Sequence, residues 1–192
     1  MGASVGCAIG RVGFEARQSP DQIRALLART AEDWIGRRDL DWKGRRFSND
    51  CVGFVRLVYA ANGIDVTATS LRRGDNGVTA IYAYAQSQGL VHRDAPRPGD
   101  LVFFHDTYDR NGNGVLDDGL THVGIVDFSY PDGTVEVIHR VSRGVVRYRM
   151  NADHPLDRTR DGRVINDFLR RDKDGHSVTA GTLFAAYGTV VR

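Results

Sequence analysis

The stretch "THVGIVDFSYPDGTVEVIHRV", residues 121–141, decides how this chain folds. Two runs rich in β-branched residues, "HVGIVDF" and "TVEVIHRV", flank the turn "YPDG", which is the pattern of an antiparallel hairpin. Side chains alternate across a strand, so His122, Gly124 and Val126 share one face of the first run. Val135, Val137, His139 and Val141 share one face of the second. If the hairpin closes through Tyr130 to Gly133, Ser129 lies opposite Thr134, His122 opposite Val141 and His139 opposite Gly124. The two histidines are then diagonal neighbours within reach of each other. A loop of Asp132 and Gly133 alone keeps both on that face but carries His139 opposite Val126, too far away. A slip of one residue puts them on opposite faces. The closing turn therefore decides whether the sheet carries a histidine pair.

Strands continue on both sides of the hairpin. "RPGDLVFFH" is a turn feeding a strand, "VVRYRM" follows the turn "SRG", and "GTLFAAYGTVVR" is a further strand near the C-terminus. Residues 151–180 read as irregular and polar, with a short helix expected around Asp167 to Arg171. Upstream the period is helical. "SPDQIRALLARTAEDWIG" has Ser19 as N-cap, Pro20 at the first helical position and Gln22 where a capping box requires it, and is expected to end near Gly36. "SNDCVGFVRLVYAANG" is a second helix, capped by Ser48 or Asn49 and stopped by Asn62 and Gly63. "DNGVTAIYAYAQSQG" is a third. Helices followed by antiparallel strands indicate an α+β fold, with N-terminal helices packed on a five- or six-stranded antiparallel sheet.

Composition narrows the function. A chain of 192 residues can bury one full core. With 26 Lys plus Arg against 24 Asp plus Glu, the net charge of +2 is too small to call for nucleic acid or an anionic membrane. The densest charge, over residues 143 to 174, interleaves Arg with Asp as a solvated face does. No apolar run approaches the roughly 18 residues of a membrane span. Cys7 and Cys51 allow one bridge and no disulfide framework. The opening "MGASVGCAIG" leads small residues into a cysteine like the tail of an export or lipoprotein signal. Residues 1–18 are accordingly read as the remnant of an export or lipoprotein signal and 19–192 as the working domain of a monomer exported to the envelope or secreted, against the alternatives of an accidental likeness and a cytoplasmic location.

Cys51 falls in the first turn of the second helix, where unpaired N–H groups and the macrodipole favour a thiolate, so a depressed thiol pKa is expected. The plain alternative is that Cys51 is a small buried apolar residue. If the helix packs its N-terminal turn on the sheet face that shows His122, with His139 behind, the three side chains form nucleophile, base and orienter.

The segments "NDCVGFVRLVYAANGI", "RPGDLVFF", "THVGIV" and "VIHR", in this order, resemble the motifs of the NlpC-type family of papain-like cell-wall peptidases over about residues 22 to 142. The resemblance implies a papain-like fold, Cys51 as nucleophile, His122 as base and His139 as third member. It also implies Asp50 on the substrate side, peptidoglycan peptides as partner, and cleavage next to D-glutamate or diaminopimelate. An inhibitor or immunity protein is a further candidate partner. Three departures stand out: Val52 where the family has serine, Leu40 where a substrate-side tyrosine belongs, and an aspartate-rich insertion. A related group, the cysteine- and histidine-dependent amidohydrolase/peptidases (CHAP), shares the fold and cuts other bonds of the same polymer.

The insertion, residues 106–118, has calcium-loop spacing. Asp109, Asn111, Asn113, the Val115 carbonyl and Asp117 stand at positions 1, 3, 5, 7 and 9, with Gly114 at 6. Leu120 replaces the bidentate glutamate at 12, so Asp118 or Asp106 must supply the missing carboxylate. A structural Ca2+ is expected there, against the alternative of a solvated Asn/Gly/Asp turn. Two other functions compete. One is a zinc hydrolase drawing on His92, His105, His122 and His139, which lack recognised ligand spacing. The other is a catalytically silent calcium-dependent binding module.

Overall fold

The computed structural model describes residues 18–67, 76–115, 117–171 and 175–192; Cys7 and the expected signal remnant up to residue 17 lie outside them. Helix α1 (Pro20–Glu32) begins as the sequence requires. Ser19 Oγ accepts from the Gln22 amide at 3.2 Å, and Gln22 Oε1 accepts from the Ser19 amide at 2.8 Å. The helix stops at Glu32, short of Gly36, because residues 33–36 turn towards the sheet, where the Gly36 amide donates to the Val145 carbonyl. A small hairpin, β1 (Asp41–Trp42) and β2 (Arg45–Arg46), leads into α2 (Cys51–Ala61), and α3 (Gly77–Gln88) follows.

The strands β3 (Leu90–His92), β4 (Leu101–His105), β5 (Leu120–Ser129), β6 (Thr134–Val141) and β7 (Gly144–Asn151) come next. Two short pairs follow, β8 (Thr159–Arg160) with β9 (Arg163–Val164) and β10 (Phe168–Arg171) with β11 (Ser177–Thr179), and β12 (Phe184–Thr189) ends the series. The main sheet has six antiparallel strands in the order β3-β12-β4-β5-β6-β7. The C-terminal strand thus threads between β3 and β4. Three residues of β3 are too few to declare themselves by alternation.

Both faces of the sheet are covered. Leu101, Phe103, Val123, Ile125, Ile138 and Val145 pack under the helices with Leu27, Phe54, Leu57 and Ile81. On the other face Val102, Phe104, Val126, Val137 and Met150 pack with Ala180, Leu183, Phe184 and Tyr187. The segment expected to be irregular and polar therefore contributes to a second core, with Ile165 and Asn166 buried. The helix expected at Asp167 to Arg171 is instead strand β10. Asp167 is held extended beside β7, its amide donating to the Arg149 carbonyl at 2.9 Å while its carboxylate accepts from the Arg149 amide at 2.8 Å.

The decisive hairpin differs in detail from its expected form. Tyr130, not Ser129, pairs with Thr134, its amide donating to the Thr134 carbonyl at 2.7 Å, and Gly133 takes the left-handed backbone at φ 81°. Ser129 consequently faces Val135. A bulge between Val126 and Phe128 then absorbs the residue, so that Val126 faces Val137 and Ile125 faces Ile138. Continued by one residue, this register sets His139 opposite Gly124. The loop is shorter than expected, yet the histidine end carries the expected pairing.

Candidate active site

Helix α2 starts on Asp50, not on Ser48 or Asn49. Asp50 Oδ1 accepts from the Gly53 amide at 2.7 Å and from Ser48 Oγ at 2.9 Å. Asn49 ties the entry to the preceding loop by accepting from the Leu40 amide at 3.0 Å. Gly53 is required by space, since a Cβ there would lie 1.8 Å from the Ser48 carbonyl oxygen. These constraints fix Cys51 at the first helical position as a part-exposed free thiol.

The helix does not lie on the sheet face that bears the histidines. It packs over Val123, Ile125 and Ile138, whereas His122, Gly124 and His139 alternate onto the opposite face, where the His122 ring sits 6.1 Å from Phe104. Cys51 and His122 instead border one cavity beside the start of β5. The backbone amide of Val123 is close enough to pull the Cys51 thiol pKa down, and Cys51 and His122 line this cavity of about 680 Å³ with Asp50, Asn76, Tyr108 and Arg140. The distances that define the pair itself are short: His122 Nε2 is 2.8 Å from His139 Nδ1, with the rings nearly perpendicular at 83°. Gly124 makes the room, because a Cβ there would lie 2.7 Å from Val137 Cγ1 and 3.1 Å from His139 Cβ.

Electrostatics correct one expectation. Burial pushes the Cys51 thiol up to about 11, against the pull of the Val123 amide, and the Asp50 carboxylate pushes the same way. The capping carboxylate offsets the positive helix end on which a depressed thiol pKa depended. Burial likewise brings His122 down to about 4, with Asp50 pulling weakly upward. His139, 1 % exposed, lies well below the ordinary histidine value, through burial first and then through His122 and Arg143. All three directions favour the uncharged form: thiol on Cys51 and neutral imidazole on His122 and His139.

A stability prediction follows from these directions. The unfolded chain takes a proton on His122 below about 6.5, and the folded chain refuses it until about 4. The unfolded state therefore binds more protons in that window, so stability falls as the pH drops through it, and His139 acts in the same sense. Urea midpoints at pH 7 and pH 5 should differ less for His122→Gln than for the parent protein. An equal difference in both would show that His122 is not held neutral.

The other candidate residues are distributed as follows. Asp109 accepts from the Gly112 and Gly114 amides, both at 2.7 Å, and the side-chain amides of Asn111 and Asn113 converge on Asp117 at 3.0 Å. Val115 joins through its amide, which donates to Asn113 Oδ1 at 2.8 Å. Asp118 Oδ1 accepts from the Asn111 amide, while its Oδ2 is buried without a partner among the described residues. Asp106 turns away to His105 Nδ1 at 2.6 Å and to the Asp118 amide at 2.7 Å. Of the two carboxylates considered for the missing position, Asp118 is the one beside the loop donors. Below the loop, Thr107 and Thr121 are joined by hydroxyl contact at 2.9 Å, one residue from His122.

His92 bonds Thr189 and the Asp94 carbonyl, and among the described residues no three His, Cys, Asp or Glu side chains gather as a metal site. That holds for the four histidines of the zinc reading and for the carboxylates of the 106–118 loop alike. Leu40 is buried in the core and Val52 lines the cavity, so neither departure reproduces the polar side chain it replaces. Sequence reasoning missed Asn76, which caps α3 by accepting from the Thr79 amide and holds the start of β5 by donating to the Leu120 carbonyl at 2.8 Å. Its signal was the "DNG" at the helix entrance. Arg140, which lines the cavity with His122, and Tyr148, whose ring packs against His139, gave none.

A family model described as the NlpC/P60 family matches residues 37–164. Comparison with curated proteins and with solved structures returned no match. The matched span runs from the loop before α2 to β9 and so takes in Cys51, His122 and His139. The chain belongs to the NlpC/P60 family of cell-wall peptidases.

Proposed function

We propose that this protein is a cysteine peptidase or amidase that hydrolyses amide bonds in the peptides of bacterial peptidoglycan, acting as an endopeptidase. The carrying observation is the 2.8 Å His122–His139 pair bordering the cavity that holds Cys51. Because His122 Nε2 is engaged by His139, Nδ1 is the nitrogen left for the thiol. As Sγ of Cys51 attacks the substrate carbonyl carbon, its proton passes to His122 Nδ1. The N–H groups at the start of α2 stabilise the oxyanion. His122 then returns the proton to the leaving amine, and water, deprotonated by the same imidazole, cleaves the thioester to a carboxylate. His139 orients the base, and Asp50 both caps the helix and faces the substrate.

Starting from a neutral pair, this route uses proton transfer during attack rather than a standing thiolate. The acid limb of kcat/KM should accordingly lie near pH 4, where His122 of the free enzyme protonates, and not near 6.5. Digestion of purified peptidoglycan followed by mass spectrometry of the fragments tests the reaction and identifies the bond. Release of new peptide amines supports it; undigested sacculi, or cleavage confined to the glycan, removes it. Such a substrate places the protein in the cell envelope or outside the cell. Among the described residues no helix is long and apolar enough to cross a membrane.

We read the aspartate-rich loop as a structural calcium site built from Asp109, Asn111, Asn113, the Val115 carbonyl, Asp117 and Asp118, with Asp106 bracing its base. Calcium should raise the melting temperature, as a ligand of the native state alone does, and magnesium should replace it poorly. Since the Thr107–Thr121 contact holds the loop base independently, the effect on turnover should be severalfold rather than complete. Asp109→Ala or Asp117→Ala should abolish both responses. Calorimetry without calcium binding at millimolar concentration would remove the site.

A further inference from the structure

The histidine pair has a proton problem that its own hydrogen bond does not solve. Two neutral imidazoles 2.8 Å apart share one proton between His122 Nε2 and His139 Nδ1. If His122 donates, its Nδ1 carries a lone pair, and the proton of His139 must sit on Nε2. If His139 donates, the proton of His122 moves to Nδ1 and the base is blocked. The choice depends on what His139 Nε2 meets, and that nitrogen is buried with no hydrogen-bond partner among the described residues. A buried N–H without an acceptor is costly, so on polar contacts alone the productive arrangement is penalised.

The ring of Tyr148 packs against the His139 ring. Tyr148 lies on β7 opposite Val137, beside Val146, the partner of His139, and therefore on the same sheet face. Its ring centroid is 4.6 Å from that of His139 at an interplanar angle of 67°, the spacing of an edge-to-face contact. Arg143 fixes the ring by donating from Nη2 to Tyr148 Oη at 2.9 Å. A ring face is electron-rich: it accepts an N–H weakly and repels a lone pair. We infer that Tyr148 is a positioning residue whose ring face accepts the Nε2–H of His139 and so selects the tautomer in which His122 Nδ1 is open to the thiol.

The inference deepens the proposed hydrolase mechanism and rests on it for its kinetic arm only. In 15N-labelled protein at pH 7, long-range 1H–15N spectra should show both His139 and His122 protonated at Nε2. In Tyr148→Leu both protons should move to Nδ1, and kcat on peptidoglycan should fall roughly tenfold, the order expected when a buried N–H loses its acceptor, with KM unchanged. Tyr148→Phe keeps the ring face and should restore both the spectrum and kcat to within about twofold of the parent. Parent protein with His139 protonated at Nδ1 overturns the inference, whether or not the leucine variant folds. So does a Tyr148→Leu protein that keeps the parent tautomer and kcat. If the parent hydrolyses no peptidoglycan, the hydrolase reading fails while the spectra still decide the role of Tyr148.

Discussion

Replacing Cys51 with alanine is expected to abolish peptidoglycan hydrolysis, with a loss on the order of 10⁴-fold or more, and to leave the melting temperature almost unchanged. The size of the loss follows from the covalent step, because without Sγ there is no acyl-enzyme and His122 has no proton to accept. The fold should survive because the side chain is small, part-exposed and outside the fully buried core, while the determinants of the helix start are Asp50, Ser48 and Gly53. Cys51→Ser should be nearly as inactive, since a hydroxyl is harder still to deprotonate where burial already pushes a thiol up to about 11. Alkylation by iodoacetamide should be slow at neutral pH and accelerate towards that value, in contrast to a thiol activated in advance. Normal turnover in Cys51→Ala would end the cysteine-peptidase reading, whereas fast alkylation at pH 6 would overturn only the neutral resting pair.

Legibility in the sequence followed the range of the interactions. The capping box of Ser19 and Gln22 acts within four residues and was readable as such. The histidine face was readable because strand alternation is local, and it survived an error in the loop because the bulge between Val126 and Phe128 compensated. Asp50 was passed over as cap because Ser48 and Asn49 are equally good capping types; only the tertiary demand of the Leu40 amide on Asn49 distinguishes them. The second core was hidden because residues 151–184 carry few apolar side chains, spread without period, that are buried only once the sheet exists. The thiol pKa was misjudged for the same reason. A helix start is visible in sequence, but the burial that outweighs it arises only when α2 packs into the tertiary structure, and it prevails even against the pull of the Val123 amide some seventy residues away. That Cys51 and His122 border one cavity although α2 packs on the other face of the sheet depends on which face the helices cover.

His122→Ala is expected to approach the loss seen for the nucleophile, on the order of 10³-fold or more, while His139→Asn and His139→Gln keep measurable activity. The asymmetry lies in what each ring must do. His122 has to receive a proton and give it back, which no alanine, amide or trapped water does at comparable rate. His139 has only to accept from His122 Nε2, and a side-chain amide oxygen can do that if it reaches the position now held by Nδ1 at 2.8 Å. His139→Ala should fall between the two, since it removes the acceptor and opens a hole against Tyr148. Unlike the histidine, an amide oxygen has no second tautomer, so the His139→Gln enzyme should be insensitive to Tyr148→Leu. A double-mutant cycle on kcat measures that coupling directly. Additive losses from the two substitutions, or complete inactivity of both amide variants with the fold intact, would mean that His139 does more than orient the base.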